Sequence, residues 1–313
     1  MSISFFKCDK IDKAKWNQAV AASLYPTLFA DYDFLSVASP EWCALIKGDY
    51  EYIMPLPVRS RMHISYIFTP FQFSRLGIFS KNRITAEIVR EFFQAIPSNF
   101  KQIDLRLNQY NPSEKIASES IQLVSYSLNL KASYTELYKN FRQNTKRNIK
   151  AAEKENLHVT SDLSLRDIVL LYKENRGKTK KFKIKGKDYR LFLKIATFAQ
   201  ERGFLELVGV KDGDNNLLAG AAFLHDYSTV WFWFSGRDNR FANKRAMFFL
   251  INEYIKKYQK TSKILDFDGS MNENIARFYA GFGATRYSFP MLYFSRHFYL
   301  HKLVAFYKIV RGL

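Results

Sequence analysis

The chain has 313 residues, a length that suits two domains of about 150 residues each. Hydrophobic residues make up 47% of the sequence, including 29 Phe and 19 Tyr, so each half can bury its own core and the composition argues against disorder. The excess of 48 Lys and Arg over 29 Asp and Glu gives a net charge of +19. Such a charge attracts anions and predicts a negatively charged partner, which nucleic acid, a nucleotide-linked substrate or an acidic membrane surface would satisfy.

The cysteine content and the N-terminal sequence indicate a cytoplasmic protein. Cys8 and Cys43 are too few for a disulfide scaffold, and no His cluster accompanies them at metal-ligand spacing. The N-terminus lacks an apolar segment of signal-peptide length, and charges interrupt every apolar run before the roughly 18 residues that a membrane span needs. We therefore expect a cytosolic protein without a bound metal.

The first half is predicted to be a mixed α/β lobe. Hydrophobic periodicity predicts helices at residues 12–22, 32–38 and 84–96, and strands at 50–58, 64–68, 101–107 and 122–130. Pro55 and Pro57 cannot donate backbone hydrogen bonds, so the strand that contains them cannot be a central, fully paired one.

A long helix from Tyr134 to about Asn156 is predicted to open the second half. Ser133 is its expected N-cap, and Glu136 completes a capping box. We place the domain boundary here, which divides the chain into residues 1–130 and 131–313. The elements predicted beyond it are helices at 165–174 and 189–202, strands at 205–211, 218–225 and 229–235, a helix at 244–258, a strand at 263–267, a helix at 272–281, a strand at 285–294 and a C-terminal helix.

The order of these elements and several short motifs resemble a known fold. In the second half these motifs are FYAGFGA at residues 278–284, the preceding strand ILDFDGS at 264–270 and the basic helix RQNTKRNIKAAE at 142–153. The first half adds Trp42 with Leu45, the Pro-Leu-Pro of 55–57 and the loop at 70–79. Together they resemble the GNAT acyltransferases, and within them the Fem-type aminoacyl and peptidoglycan transferases. The resemblance implies two tandem GNAT-like lobes, each a mixed, mainly antiparallel sheet flanked by helices.

The resemblance also implies where an acyl donor would bind. In the family the donor lies where the strand at 229–235 diverges from the strand at 263–267. This placement gives the candidate donor-binding residues Ser235, Arg237, Arg240, Asn243 and Lys244.

One departure from the family pattern bears on the donor. Enzymes of the superfamily that use acyl-coenzyme A carry Q/R-x-x-G-x-G/A at this place, and bare backbone amides there hold the pyrophosphate. Here Arg240 stands at the first glycine position, where a Cβ obstructs that contact. The departure favours aminoacyl-tRNA over acyl-coenzyme A as the donor, with no tightly bound cofactor.

Asp268 and Tyr279 are the candidate catalytic residues. Asp266 and Asp268 alternate with Phe267 on a short strand, which predicts both carboxylates on one face, and a partly buried carboxylate can deprotonate an amine. The alternative is that Asp268 merely ends the strand. In the family pattern the residue at Tyr279 can protonate a leaving thiolate, whereas a core aromatic is the structural alternative.

Three basic regions could meet an anion. The residues Arg142, Lys146, Arg147 and Lys150 follow helical spacing on the long helix, and the alternative for them is a solvated face. A basic stretch at 173–190 is either a flexible loop or a polyanion contact. The C-terminal helix could lie on an anionic membrane surface or dock on its own domain.

The leading hypothesis is therefore an acyltransferase that transfers an acyl or aminoacyl group to an amine acceptor. The alternatives are an acyl-coenzyme A-dependent N-acetyltransferase and a non-catalytic binding protein associated with RNA or the cell envelope. The fold alone does not select among them.

Overall fold

The computed structural model of the chain divides into two compact units. Unit 1 comprises Met1–Leu123 with Ser288–Leu313, and unit 2 comprises Val124–Tyr287. The structure describes residues 2–61, 64–112, 120–179, 184–269 and 271–296. The predicted C-terminal helix lies outside these residues.

Unit 1 contains a three-stranded sheet, four further paired strands and three α-helices among its described residues. Its helices are α1 (Lys13–Ala21), α2 (Tyr32–Ala38) and α3 (Ala86–Gln94). Its strands are β1 (Ile3–Lys7), β2 (Cys43–Lys47), β3 (Tyr52–Leu56), β4 (Val58–Arg61), β5 (Ile64–Phe68), β6 (Gln102–Arg106) and most of β13 (Thr285–Ser295). One sheet has the order β1-β2-β3, and the remaining strands follow the order β4-β5-β6-β13. Because β3 contains Pro55, its place at the end of the first sheet confirms the expectation that this strand is not central.

Unit 2 contains the elements expected of a GNAT-like core. Its helices are α4 (Tyr134–Lys139), α5 (Gln143–Ala152), α6 (Leu165–Glu174), α7 (Gly186–Glu201), α8 (Ala246–Tyr258) and α9 (Glu273–Ala280). Its strands are β7 (Ser120–Asn129, mostly in this unit), β8 (His158–Thr160), β9 (Leu205–Lys211), β10 (Leu217–His225), β11 (Thr229–Arg237) and β12 (Ile264–Asp266). Strands β8 to β11 form an antiparallel meander, and β12 lies between β11 and β7. The predicted α/β fold class, with mainly antiparallel sheets flanked by helices, is confirmed.

The prediction of one continuous helix from Tyr134 to about Asn156 is wrong. The capping box of Ser133 and Glu136 starts α4 as predicted, but the helix ends at Lys139 and a second helix begins at Gln143. Between them Phe141 turns into the core against Phe282, with ring centroids 5.4 Å apart. Hydrophobic burial of this aromatic ring stabilises the break.

The predicted division at residue 131 also differs from the observed one. Residues 291–295 of β13 pair with residues 102–106 of β6, which places the end of the described chain in unit 1 rather than in the second lobe. The chain passes from unit 1 to unit 2 at residue 124, inside β7, because the second half of this strand pairs with β12. Both differences come from strand pairings between distant parts of the sequence.

Helix α6 packs unusually closely on the end of β11. A Cβ atom on Gly236 would lie 2.5 Å from the backbone nitrogen of Tyr172 and 2.7 Å from the Cβ of Leu171. Real Cβ atoms do not approach so closely, so only glycine permits this contact. The close packing brings the C-terminal part of α6 beside the last residues of β11.

Candidate active site

The strands β11 and β12 separate at the centre of unit 2. Their parallel pairing runs from Thr229 with Ile264 to Trp231 with Asp266, whereas β11 continues to Arg237. A register shift against β10 leaves Trp233 as an extra residue in β11, and such a bulge bends the strand and re-aims its side chains. The gap therefore opens beyond Trp231, as predicted.

A cavity of about 570 Å³ occupies this place. It is formed by β11, the start of α8, α9, the end of α6 and one face of α5. Its polar and charged lining residues are Asn144, Thr145, Asn148, Tyr172, Asn175, Arg176, Ser235, Arg237, Asp238, Arg245, Asn274, Arg277 and Tyr279. Its apolar lining residues are Leu218, Phe232, Gly236, Phe241, Ala242, Ala246, Met247, Phe248, Ile275 and Phe278.

Tyr279, one of the two predicted catalytic residues, lines this cavity. It lies on α9 with 8% of its surface exposed, and its ring stacks on Phe267 at 4.6 Å between centroids. Burial raises the pKa of Tyr279 to about 12, against a smaller opposing effect of Arg176. The phenol is therefore protonated at neutral pH and can donate a proton but not accept one.

Asp268, the other predicted catalytic residue, does not line the cavity. Strand β12 ends at Asp266, and Asp268 has a left-handed backbone conformation with φ +52°. The two carboxylates are thus not alternating side chains of one strand, which corrects the sequence prediction. Asp tolerates the left-handed backbone conformation, which here marks the turn that ends the strand.

Asp266 instead holds the end of β12 in place. Its carboxylate is 4% exposed and accepts hydrogen bonds from the Ser125 hydroxyl at 2.9 Å, the Asp268 amide at 2.8 Å and the Tyr287 hydroxyl. A buried carboxylate needs such donors to offset its desolvation.

Two of the predicted donor-binding residues line the cavity and three do not. Ser235 and Arg237 lie on the part of β11 that extends beyond β12. Partial burial, together with the charge of Arg176, lowers the pKa of Arg237. The two guanidinium groups therefore act on each other as like charges.

The remaining predicted donor-binding residues belong to the 3₁₀ segment Asn239–Lys244. The Arg240 guanidinium bonds the Asp238 carboxylate, with an Nη2–Oδ2 distance of 2.6 Å. The Lys244 ammonium lies 2.8 Å from the buried carboxylate of Asp212. Asn243 contributes its backbone carbonyl to the Arg245 guanidinium.

Helix α8 begins later than the sequence suggested, at Ala246. The residue before it, Arg245, has a left-handed backbone with φ +54° and ψ +31°, and among the described residues no side chain caps this helix. Ala246, Met247 and Phe248 of the first turn line the cavity. Helix geometry leaves the first amides of a helix without intrahelical acceptors, which favours an anion nearby.

Helix α5 presents different chemistry on two faces. Asn144, Thr145 and Asn148 line the cavity, and the Asn148 amide oxygen accepts a hydrogen bond from Arg245 Nε at 2.8 Å. The predicted polyanion-binding residues Arg142, Lys146, Arg147 and Lys150 do not line it. Lys146 Nζ bonds the Lys139 carbonyl at 3.0 Å, while the other three side chains are exposed.

The sequence prediction missed the amides of α5 and the side chains of Arg245 and Arg277, whereas Arg176 belongs to the basic stretch predicted at 173–190. The spacing of Asn144 and Asn148 by four residues places both on one helical face and could have identified them. No comparable local signal marks Arg245 or Arg277, because their convergence with Arg176 depends on how α6, α8 and α9 meet.

Comparison with known proteins gives a family match for part of this site. Residues 139–273 match the family model described as an acetyltransferase (GNAT) domain. The match covers most of the core of unit 2. The predicted enzyme class, an acyltransferase, is confirmed by this match, and the cavity lies largely within the matched segment, with its α9 residues just beyond.

Solved structures similar to the whole chain give its fold. A crystal structure of FemX has a TM-score of 0.63 and 14% identity, covering 93% of this chain and 97% of the other. A conserved protein from Bacteroides thetaiotaomicron VPI-5482 has a TM-score of 0.55 and 10% identity, covering 90% and 98%. The C-terminal domain of a lysylphosphatidylglycerol synthetase, described as putative, from Agrobacterium fabrum has a TM-score of 0.51 and 10% identity, covering 91% and 93%. The chain thus has the Fem-type fold, and its residues 139–273 match the GNAT family model.

The sequence comparison with curated proteins finds no match. Within the described part of the chain, no helix is long and apolar enough to span a membrane. In the same residues, no group of three or more His, Cys, Asp or Glu side chains is placed to hold a metal ion.

Proposed function

We propose that the GNAT domain transfers an aminoacyl group from tRNA to an amine acceptor. The observation that carries this proposal is the cavity at the β11–β12 divergence, where arginines and a protonated Tyr279 meet. The arginines suit the phosphates of a carrier, and Tyr279 suits a leaving group that must gain a proton.

The reaction needs no further cofactor. The acceptor amine attacks the carbonyl carbon of the ester, a C–N bond forms, and the C–O bond to the terminal ribose breaks. The ribose oxygen gains a proton from Tyr279, and the amine loses one to a base. We keep Asp268 as the predicted base, since, in addition to burial, its charge acts on the Tyr279 phenol and raises the pKa of that phenol.

The two faces of α5 support tRNA over acyl-coenzyme A as the donor. A short carrier needs only the cavity, whereas a tRNA extends beyond it. The exposed Arg147 and Lys150 lie on the same helix as the cavity residues Asn144 and Asn148, and the exposed Arg142 is the N-cap of this helix. These three cations can therefore meet further phosphates of a long carrier. The uncapped start of α8 at the cavity is the observation that favours acyl-coenzyme A.

A donor experiment tests the proposal. The purified chain is given radiolabelled aminoacyl-tRNA or acetyl-coenzyme A together with a mixture of nucleotide-linked muropeptides, and labelled product is measured. We expect label from tRNA only, and the double variant Arg147→Glu/Lys150→Glu should reduce it about 10-fold or more, since each lost phosphate contact weakens binding. Transfer from acetyl-coenzyme A that this variant leaves intact would instead establish the N-acetyltransferase. Binding of either donor without transfer would leave a binding protein.

A further inference from the structure

We propose that the donor cavity selects an acyl group with an uncharged, apolar side chain and rejects a cationic one such as lysyl. The inference rests on the proposed function and concerns the group that is transferred. It is carried by the balance of charges around the cavity, which is one-sided among the described residues.

Four arginines line the cavity, namely Arg176, Arg237, Arg245 and Arg277. The guanidinium of Arg245 bonds neutral partners, the Asn148 amide oxygen and the Asn243 carbonyl. No salt bridge joins any of the four to a carboxylate of the described residues. No described carboxylate neutralises them, so the positive charge that the donor's phosphates leave uncompensated acts on the acyl group.

The single carboxylate among the described lining residues is that of Asp238, and Arg240 occupies it. The Arg240 side chain reaches both oxygens, with Nε at 3.1 and 3.0 Å and Nη2 at 2.6 Å, and the Arg240 amide adds a further bond at 2.9 Å. This charge-assisted, bidentate pair leaves Asp238 little capacity for a second cation. A lysyl side chain would thus meet a net positive lining and no free carboxylate among the described lining residues.

Part of the wall between the arginines is apolar. Phe248 and Phe278 pack edge to face at 4.8 Å between centroids, and Phe232 packs on Tyr279 in the same way at 6.2 Å. Leu218, Met247 and Ile275 complete this lining. An aliphatic or aromatic side chain can bury its surface here, whereas an ammonium group would find neutral amide and hydroxyl oxygens but no free carboxylate among the described lining residues to offset its lost hydration.

Negative charge is instead found near the catalytic tyrosine. Asp266 and Asp268 flank Phe267, whose ring stacks on Tyr279. The α-ammonium group of every aminoacyl donor lies next to the reacting carbonyl, so it would lie at this end of the cavity. The selection therefore acts on the side chain of the acyl group rather than on its α-amine.

A matched pair of donors isolates the side-chain charge. One tRNA ends in 3′-amino-3′-deoxyadenosine bearing lysyl as a stable amide, and the other bears Nε-acetyl-lysyl on the same tRNA. Filter binding of both is compared with that of the uncharged tRNA. We expect the acetylated donor to bind about 10-fold more tightly or better than the lysyl donor, because one unit charge near the arginines suffices for that factor.

Two variants identify the source of the discrimination. Arg277→Glu reverses a charge in the cavity wall and should reduce the preference about 10-fold, whereas Lys194→Glu makes the same reversal on the exposed side of α7 and should leave it unchanged. Equal binding of both acylated tRNAs, or a preference that survives Arg277→Glu in full, would overturn the inference. If neither acylated tRNA binds more tightly than uncharged tRNA, the proposed donor itself is wrong, and the inference falls with it.

Discussion

The two ends of helix α8 differ in whether the charged side chains around them are paired. At its N-terminal end Arg245 and its neighbours line the cavity with positive charge, and the one carboxylate among the described lining residues, Asp238, is paired with Arg240. At its C-terminal end the Glu206 carboxylate accepts hydrogen bonds from His225 at 2.8 Å, Lys257 at 2.6 Å and Tyr258 at 2.8 Å. The charges around Glu206 are paired within the protein, whereas the arginines at the cavity lack a carboxylate partner among the described residues and suit an anionic ligand. We call the N-terminal end of α8 the open end and its C-terminal end the closed end. We infer that substitutions at the open end change function and substitutions at the closed end change stability.

The largest effect is expected for Tyr279→Phe at the open end. The variant retains the ring that stacks on Phe267 but loses the only proton that the residue can give, so kcat should fall about 10²- to 10³-fold. The thermal unfolding midpoint should change little. Steady-state kinetics with the donor established above, beside a thermal melt, measure both quantities. Near-normal turnover would reduce Tyr279 to a core aromatic and leave catalysis to positioning and electrostatics.

At the closed end, Glu206→Gln should destabilise the protein without changing donor affinity. Burial raises the pKa of Glu206, but the hydrogen bonds from His225, Lys257 and Tyr258 outweigh it and lower the pKa from 4.5 to about 2. A carboxylate with a depressed pKa contributes stability that is complete above pH 4.5 and is lost as the pH falls towards 2. The shift corresponds to about 3 kcal/mol.

Urea unfolding of the wild type and Glu206→Gln between pH 7 and pH 3 checks this expectation. The difference in the free energy of unfolding should be largest at pH 7 and shrink below pH 4.5. A difference that is independent of pH would mean that the carboxylate charge is not what stabilises this end. Donor binding at pH 7 serves as the functional control.

A contrast between local signals and long-range contacts separates what the sequence could predict from what it could not. The antiparallel strands β9 to β11 were predicted within two residues at each end, because alternating and apolar runs are local signals. The cavity was placed correctly for a related reason, since the order of strands and helices resembles a known fold. Fold resemblance therefore located the site more reliably than it located its residues.

The missed features depend on contacts between distant residues. Helical periodicity continues through residues 140–142, so only the packing of Phe141 on Phe282 reveals the break between α4 and α5. Lys244 looked available for a phosphate, but its carboxylate partner Asp212 lies 32 positions away. Neither partner is apparent in a local sequence pattern.

A smaller effect is expected for Asp268→Asn. Asp268 lies outside the cavity lining, so we predict a loss of kcat of about 10- to 100-fold, less than for Tyr279→Phe, if it removes the amine proton through water. Asn tolerates the left-handed backbone that Asp268 adopts, so the fold should be preserved. The kcat–pH profile is the informative readout, because loss of a base removes the acidic limb. An unchanged profile and rate would assign Asp268 to the turn alone.

The smallest effect is expected on the outer face of α5, where charge is neither enclosed as at the cavity nor paired as at Glu206. Lys146→Ala with Arg147→Ala should weaken tRNA binding about 10-fold at moderate salt. The slope of log K against log salt concentration should become less steep by about one to two, because for each phosphate contact that is lost the tRNA keeps one counterion. Lys146 already bonds the Lys139 carbonyl and lies 5.3 Å from the Tyr138 ring, so we expect Arg147 to account for most of the change. Titration of a labelled tRNA at several salt concentrations, with each single variant included, measures this division. An unchanged slope in the double variant would make these residues a solvated helical face and confine anion binding to the cavity.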